Sequence, residues 1–372
     1  MRILLPHTDN FPVCAMTQIN PETTRRIRTI LRLPVDILAL GTGAKSFIGN
    51  AAIGSVLLNR LGLHVVRLIL ADRIMWLRRA MLAPLVGAAD RRAFQRDGFI
   101  LKGDFLPAEA FAALEAEVRA LRAPGRECHQ GDTITHRILL DGEALARLPA
   151  TAALLRDRRY RRLLGYVAGR LRVPGQWVQT IRTGVLPGQP DPQRNLHADT
   201  FQPTMKAWLF LDDVDTRNGP FTYVPGSHRL TLKRMAWEWR RSIAASTLAD
   251  RYSAKGSFRA QEDELAALGL PPPKAFAVRR NTLVVADTRG LHRRGEATDR
   301  PASRLEIWSM ARTNPFNPLP GLPFRFLDRI ELAAYRGWLA LLDRRAQKRG
   351  SQPMWRAVPP GGDGAVGDEA GD

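Results

Sequence analysis

The sequence predicts a mainly β fold with flanking helices, a jelly roll of the double-stranded β-helix type that cupins use. Three observations lead there. Short runs rich in Val, Ile, Thr, Phe and Trp recur at 176–185, 205–211, 221–224, 275–278, 282–286 and 304–311, with turn residues between them. Strands and helices do not alternate regularly from residue 175 onward, as a parallel sheet would require. Between two of the strand-like runs lies Asn195-Leu196-His197-Ala198-Asp199, a pattern suited to metal ligation.

In chain order, Asn20-Pro21-Glu22-Thr23 is a helix start. Ser46–Asn59 is uncharged but too short to span a bilayer, and no signal peptide is read at the N-terminus. In Leu61–Leu82, Arg60, Arg67 and Arg78 fall on one helical stripe amid Leu, Val, Ile and Met. Residues 1–88 are therefore expected to be helical, either packed on the core or lying on anionic lipid through 44–82. The periodicity predicts helix over 91–122 and again over 147–170. Gly131–Arg137 between them is polar and turn-rich and is expected as a loop, either solvated or lining a substrate or cosubstrate mouth. Asn218-Gly219 predicts a hairpin joining the strands at 205–211 and 221–224. The polar, mostly helical insertion 232–270 is expected to cover the barrel mouth. A last helix is expected over 330–345. The expected division is 1–88, a jelly-roll domain 89–348 that contains the insertion, and a disordered tail 349–372.

Composition narrows the function. The net charge is +20, but of the 56 basic residues only seven are Lys. The arginines are spread along the chain, with no basic run and no interleaved aromatic platform. No nucleic-acid partner is expected, whereas an anionic small molecule or membrane surface is compatible. Cys14 and Cys128 have neither metal nor disulfide spacing, so a reducing cytoplasm is the expected setting, peripheral to the membrane if 44–82 binds lipid.

The chemistry centres on His197 and Asp199. In an extended strand they share one face, about 7 Å of backbone apart. They supply two of the three groups of a 2-His-1-carboxylate triad, which holds Fe(II) and leaves positions open. The third must come from elsewhere, and His292, 95 residues on, is the best placed.

Downstream come Met205-Lys206-Ala207-Trp208-Leu209-Phe210-Leu211-Asp212-Asp213, then Asn218-Gly219-Pro220-Phe221-Thr222-Tyr223-Val224-Pro225-Gly226-Ser227-His228-Arg229. Asp287-Thr288-Arg289-Gly290-Leu291-His292 follows, with Arg300 and Arg304 beyond. This order resembles the phytanoyl-CoA dioxygenase family of Fe(II)/2-oxoglutarate oxygenases over about 175–312. Phe94–Ile100 resembles the family's opening motif. The resemblance implies His197, Asp199 and His292 as iron ligands and catalytic centre, with 2-oxoglutarate as cosubstrate. It implies Arg304 as the anchor of the far carboxylate, with Arg300 as runner-up, and Trp208 beside the cosubstrate. His228 matches a turn residue that does not bind iron. Arg294 departs from the small or polar residue usual two positions after the distal His. The expected activity is hydroxylation of an unactivated C–H of a small molecule, lipid or acyl-type. A non-catalytic jelly-roll binding protein or a membrane-associated scaffold is the alternative, and Asp199 argues against a halogenase.

Overall fold

The computed structural model describes residues 31–360. The helix start at Asn20–Thr23, Cys14 and the end of the expected tail, 361–372, lie outside them.

Eleven strands form two antiparallel sheets. They are β1 Phe99–Lys102, β2 Gly125–Gln130, β3 Thr133–Leu139, β4 Gln176–Thr183, β5 Met205–Phe210, β6 Phe221–Tyr223, β7 Lys274–Ala275, β8 Leu283–Asp287, β9 His292–Arg294, β10 Ala302–Ala311 and β11 Arg356–Val358. The large sheet runs β1-β8-β5-β10-β4-β3-β2-β11 and the small one β7-β6-β9. The jelly roll follows from alternation. In β5, Met205, Ala207 and Leu209 face outward into a core shared with helices Ala108–Ala120 and Arg158–Ala168. Trp208 and Phe210 face inward, where they meet Trp308 of β10, Val284 and Ala286 of β8, and Phe221 and Tyr223 of the small sheet. A third core joins Phe47 and Ile53 to Leu196, Ala198, Trp237, Phe258 and Leu291, so the N-terminal segment and the insertion meet at the metal-site strand.

Several sequence expectations are corrected. The segment 91–122 is not one helical stretch. Gly98, at φ +89°, ends helix Ala88–Asp97, and β1 follows. A Cβ there would come within 2.5 Å of His228 and of the Tyr223 hydroxyl, so the close approach needs glycine. The loop expected at 131–137 is a tight turn at Gly131-Asp132 followed directly by β3, whose alternating Thr and Ile fit a pleat. Asn218-Gly219 does not close a hairpin, because β5 and β6 belong to different sheets. The chain crosses between the sheets, tied by a Val214–Val278 bridge, and the Asn218 side chain folds back on Asp213 and Asp215. The expected tail is ordered as far as β11, which pairs with β2, and Trp355 covers the Arg137 guanidinium.

The arginine stripe is also corrected. Arg67 and Arg78, on helix Leu63–Leu82, are buried. Arg67 donates to the carbonyls of Leu40, Thr42 and Ala44, and Arg78 donates to Thr313 Oγ1. Val66, Leu70, Trp76, Leu77 and Met81 take the solvent face instead. Of the stripe, only Arg60 is exposed. No described helix is long and apolar enough to cross a membrane.

Asp287 locks the N-terminal helix to the sheet. Its carboxylate is fully buried, 2.9 Å from Arg79 Nη2, and it accepts from the Thr204 and Arg289 amides. Burial opposes its charge, but Arg79 and Arg289 outweigh that and hold its pKa below the usual carboxylate value. A depressed folded pKa adds stability that is present above the usual carboxylate range and is lost as pH falls through it. Asp287→Asn is expected to cost about 3–5 kcal/mol by stranding Arg79. A thermal midpoint unchanged at pH 7 would contradict this.

Candidate metal centre

His197 and Asp199 lie on an extended segment held on both sides. His197 exchanges both backbone hydrogen bonds with His292, each 2.9 Å, so the segment extends the small sheet past β9. On its other flank, Ala198 donates to Phe258 and Ala260 donates to Leu196. The insertion is therefore stitched to the metal-site strand by its 258–260 stretch, rather than draped over the mouth throughout.

Backbone pairing brings the three side chains together. His197 Nε2 lies 3.8 Å and His292 Nε2 3.7 Å from Asp199 Oδ1, and the imidazole centroids are 4.5 Å apart. These gaps are too long for hydrogen bonds. The ligand atoms nevertheless all fall within 4.8 Å of one another, the one such His/Cys/Asp/Glu group among the described residues.

The donor set fits a divalent ion. The Nδ1 of His197 is 2.7 Å from the Asn195 carbonyl, and that of His292 is 2.8 Å from the Gly290 carbonyl. Each contact places the ring proton on Nδ1 and leaves the Nε2 lone pair for a metal. Burial drives the His197 pKa well below 6.5 and brings that of His292 to about 4, so both rings are neutral at physiological pH. Burial alone raises the Asp199 pKa. The Lys206 ammonium, 2.7 Å from Oδ2, with Arg312 adding to it, more than reverses this and keeps it ionised. Two neutral nitrogens and one carboxylate, with its second oxygen held by Lys206, form a triad suited to Fe(II).

Arg304, Glu306 and Trp308 share the inward face of β10, and Leu305 and Ile307 take the other. Arg304 is 3 % exposed. Its Nε is 3.1 Å from Glu306 Oε2, and Nη1 donates to the Gly219 carbonyl. Glu306 is also met by Gln179, whose carbonyl accepts from Arg137 at 2.6 Å. Arg300 lies elsewhere, half exposed, with Nη1 3.4 Å from Asp132. Trp208 lies on the inner face with its ring centroid 4.3 Å from that of Phe221. His228 is not among the converging groups. Arg294 is engaged with Asp191 at 2.5 Å and so braces the loop that delivers His197.

Sequence reading missed Lys206 and Lys45. Lys206 had a signal, since a lone charge in an apolar strand, two residues before Trp208, must share that residue's inward face. Lys45 had none. It lies 154 residues from Asp199 in sequence, yet its ammonium donates to the Asp199 carbonyl. Burial and the Arg312 guanidinium bring its pKa down to about 8.

Residues 94–263 match the family model for phytanoyl-CoA dioxygenase (PhyH). That span carries His197 and Asp199 and ends before His292. No curated protein matches the chain. Among solved structures, the chain is similar to the non-haem α-ketoglutarate-dependent epimerase SnoN from nogalamycin biosynthesis, at 18% identity over 61% of this chain and 82% of that one, TM-score 0.39. It is also similar to HygX from Streptomyces hygroscopicus with nickel and 2-oxoglutarate bound, at 17% identity over 60% and 86%, TM-score 0.38. The family match and the His-Asp-His cluster agree on the chemistry. Residues 94–263 are thus similar to the phytanoyl-CoA dioxygenase family, and with the His-Asp-His cluster they mark an oxygenase-type enzyme that uses iron and 2-oxoglutarate.

Proposed function

We propose that the enzyme hydroxylates an unactivated C–H of a small molecule, with His197, Asp199 and His292 holding Fe(II). The observation that carries this reading is the convergence of two neutral imidazoles and one ionised carboxylate on one buried point. Bound iron with 2-oxoglutarate and dioxygen supplies the oxidising power that no side chain has. The protein's part is positional. The Asn195 and Gly290 carbonyls fix the ring tautomers, and Lys206 holds one carboxylate oxygen so that the other points to the metal. Arg304 receives the far carboxylate of 2-oxoglutarate inside the barrel, and Trp208 packs beside it. Substrate-dependent succinate formation above the uncoupled background, screened over acyl and other small molecules, tests the reading. Uniform background across all substrates would oppose it.

The proposed division keeps residues 1–88 as a helical N-terminal segment beside the oxygenase domain. We also propose peripheral membrane contact through 44–82. Exposed Val66, Leu70, Trp76, Leu77 and Met81 support it, in place of the buried arginines. Contact of this kind is apolar, so co-sedimentation with anionic vesicles is expected to survive high salt and to fall in Leu70→Ser/Trp76→Ser. No sedimentation at either salt concentration would oppose it.

A further inference from the structure

A cavity of about 590 Å³ lies beside the segment that follows Asp199. Its lining includes Lys45, Lys255 and Arg312, with Arg32 at one end and Thr200 and Gln202 on the side next to Asp199. We infer that this cavity is the subsite for an anionic group of the substrate, a carboxylate or a phosphate. The inference rests on the oxygenase reading above, because it takes the cavity beside Asp199 as part of the substrate's binding surface.

Three observations carry it. The first is charge. Four cations line the cavity and one acid does, Asp36, whose carboxylate is engaged by the Ala51 amide at 2.8 Å. Among the described residues, none of Arg32, Lys45, Lys255 and Arg312 forms an ion pair with a carboxylate. Cations gathered around one concavity without counter-charges create a site for an anion. The second is unmet polarity. Thr200 and Gln202 are 3 % and 4 % exposed, and Thr200 Oγ1 and Gln202 Oε1 have no hydrogen-bond partner. Buried polar atoms in that condition call for a ligand or bridging water. The third is connection to the chemistry. Lys45 lines the cavity and donates to the Asp199 main-chain carbonyl, and Thr200 is the next residue. A group held here is therefore one residue removed from a metal ligand.

The cavity wall is preformed. Arg67, buried beneath it, ties down the carbonyls of Leu40, Thr42 and Ala44, and the side chain of Asn50 is fixed to Asp36 and Ile53. Binding therefore pays little ordering cost. Arg32, Lys45 and Arg312 lie outside residues 94–263, whereas Thr200, Gln202 and Lys255 lie within them, so three of the four cations come from segments that the family match does not cover. The cavity is also distinct from the place assigned to 2-oxoglutarate. Lys255 and Arg312 are exposed at its rim, whereas Arg304 is buried on the inward face of β10.

The test is calorimetric titration of the full chain, loaded with Co(II) and 2-oxoglutarate, with octanoate, octyl phosphate and uncharged octanol. Both anions, or one of them, are expected to bind more tightly than octanol. A stronger octanoate response identifies a carboxylic acid substrate, and a stronger octyl phosphate response a phosphate ester. Lys45→Met is expected to weaken the anion about tenfold, and Arg312→Gln a few-fold with 2-oxoglutarate affinity unchanged in that variant. Arg312 is exposed, so its variant keeps the fold even if Lys45→Met disturbs Asp199. Anion binding unchanged in both variants, octanol binding as tight as the anions, or loss of 2-oxoglutarate in place of the anion would each overturn the inference. Failure of the wild type to take up Co(II) instead counts against the triad, and the anion titration of metal-free protein then tests the cavity separately.

Discussion

Alanine at His197, Asp199 or His292 is expected to abolish 2-oxoglutarate turnover. The three groups lie on two segments paired by backbone hydrogen bonds, and each offers one ligand atom to a common point. Removing one imidazole leaves two ligands on a buried cation, too few to hold it against water. Asp199→Ala removes the only negative charge of the set and also frees Lys206, 2.7 Å away, to repel the metal. It is therefore expected to be at least as severe as either histidine change. The chain should stay folded in each case, since the segment is held by main-chain contacts that alanine preserves. Circular dichroism like the wild type's, with succinate formation at background, is the expected pair of observations. Turnover within tenfold of wild type in any of the three would remove that residue from the metal set.

Arg304→Ala is expected to raise the apparent 2-oxoglutarate constant by about two orders of magnitude or more, with iron affinity little changed. The far carboxylate of the cosubstrate must be buried with a cation, and leaving one member of such a pair alone costs about 3–5 kcal/mol. Arg304 is the buried guanidinium of β10 on the same face as Trp308. Its present partner Glu306 is itself engaged by Gln179. Arg304→Lys cannot reproduce the planar fork and should also weaken 2-oxoglutarate markedly. Arg300, half exposed beside Asp132, should matter little when changed to Ala. The reverse order of effects would transfer the anchor to Arg300.

The parts of this architecture that were legible in the sequence are those with a local cause. Period-two alternation in 304–308 puts Arg304 on one face with Glu306 and Trp308, and the strand register agrees. His197-x-Asp199 needed only strand geometry, and His292 only a following strand. What could not be read depends on contacts between distant segments. The Asn-Gly turn has hairpin chemistry but sits in a crossover, because the partner of β5 is β10 on one side and β8 on the other. The Arg67–Arg78 stripe has the periodicity of an amphipathic helix, and periodicity alone does not say which face is inside. Carbonyls at Leu40, Thr42 and Ala44 decided it. Lys45 reaches Asp199 only through the packing of the N-terminal segment on the metal-site strand, and no local pattern records that.

Fe(II) uptake, measured anaerobically by equilibrium dialysis on the wild type and on the His197→Ala/His292→Ala double variant, tests the metal centre most directly. Stoichiometric binding by the wild type and none by the double variant is the predicted result. Equal, stoichiometric binding by both would contradict it.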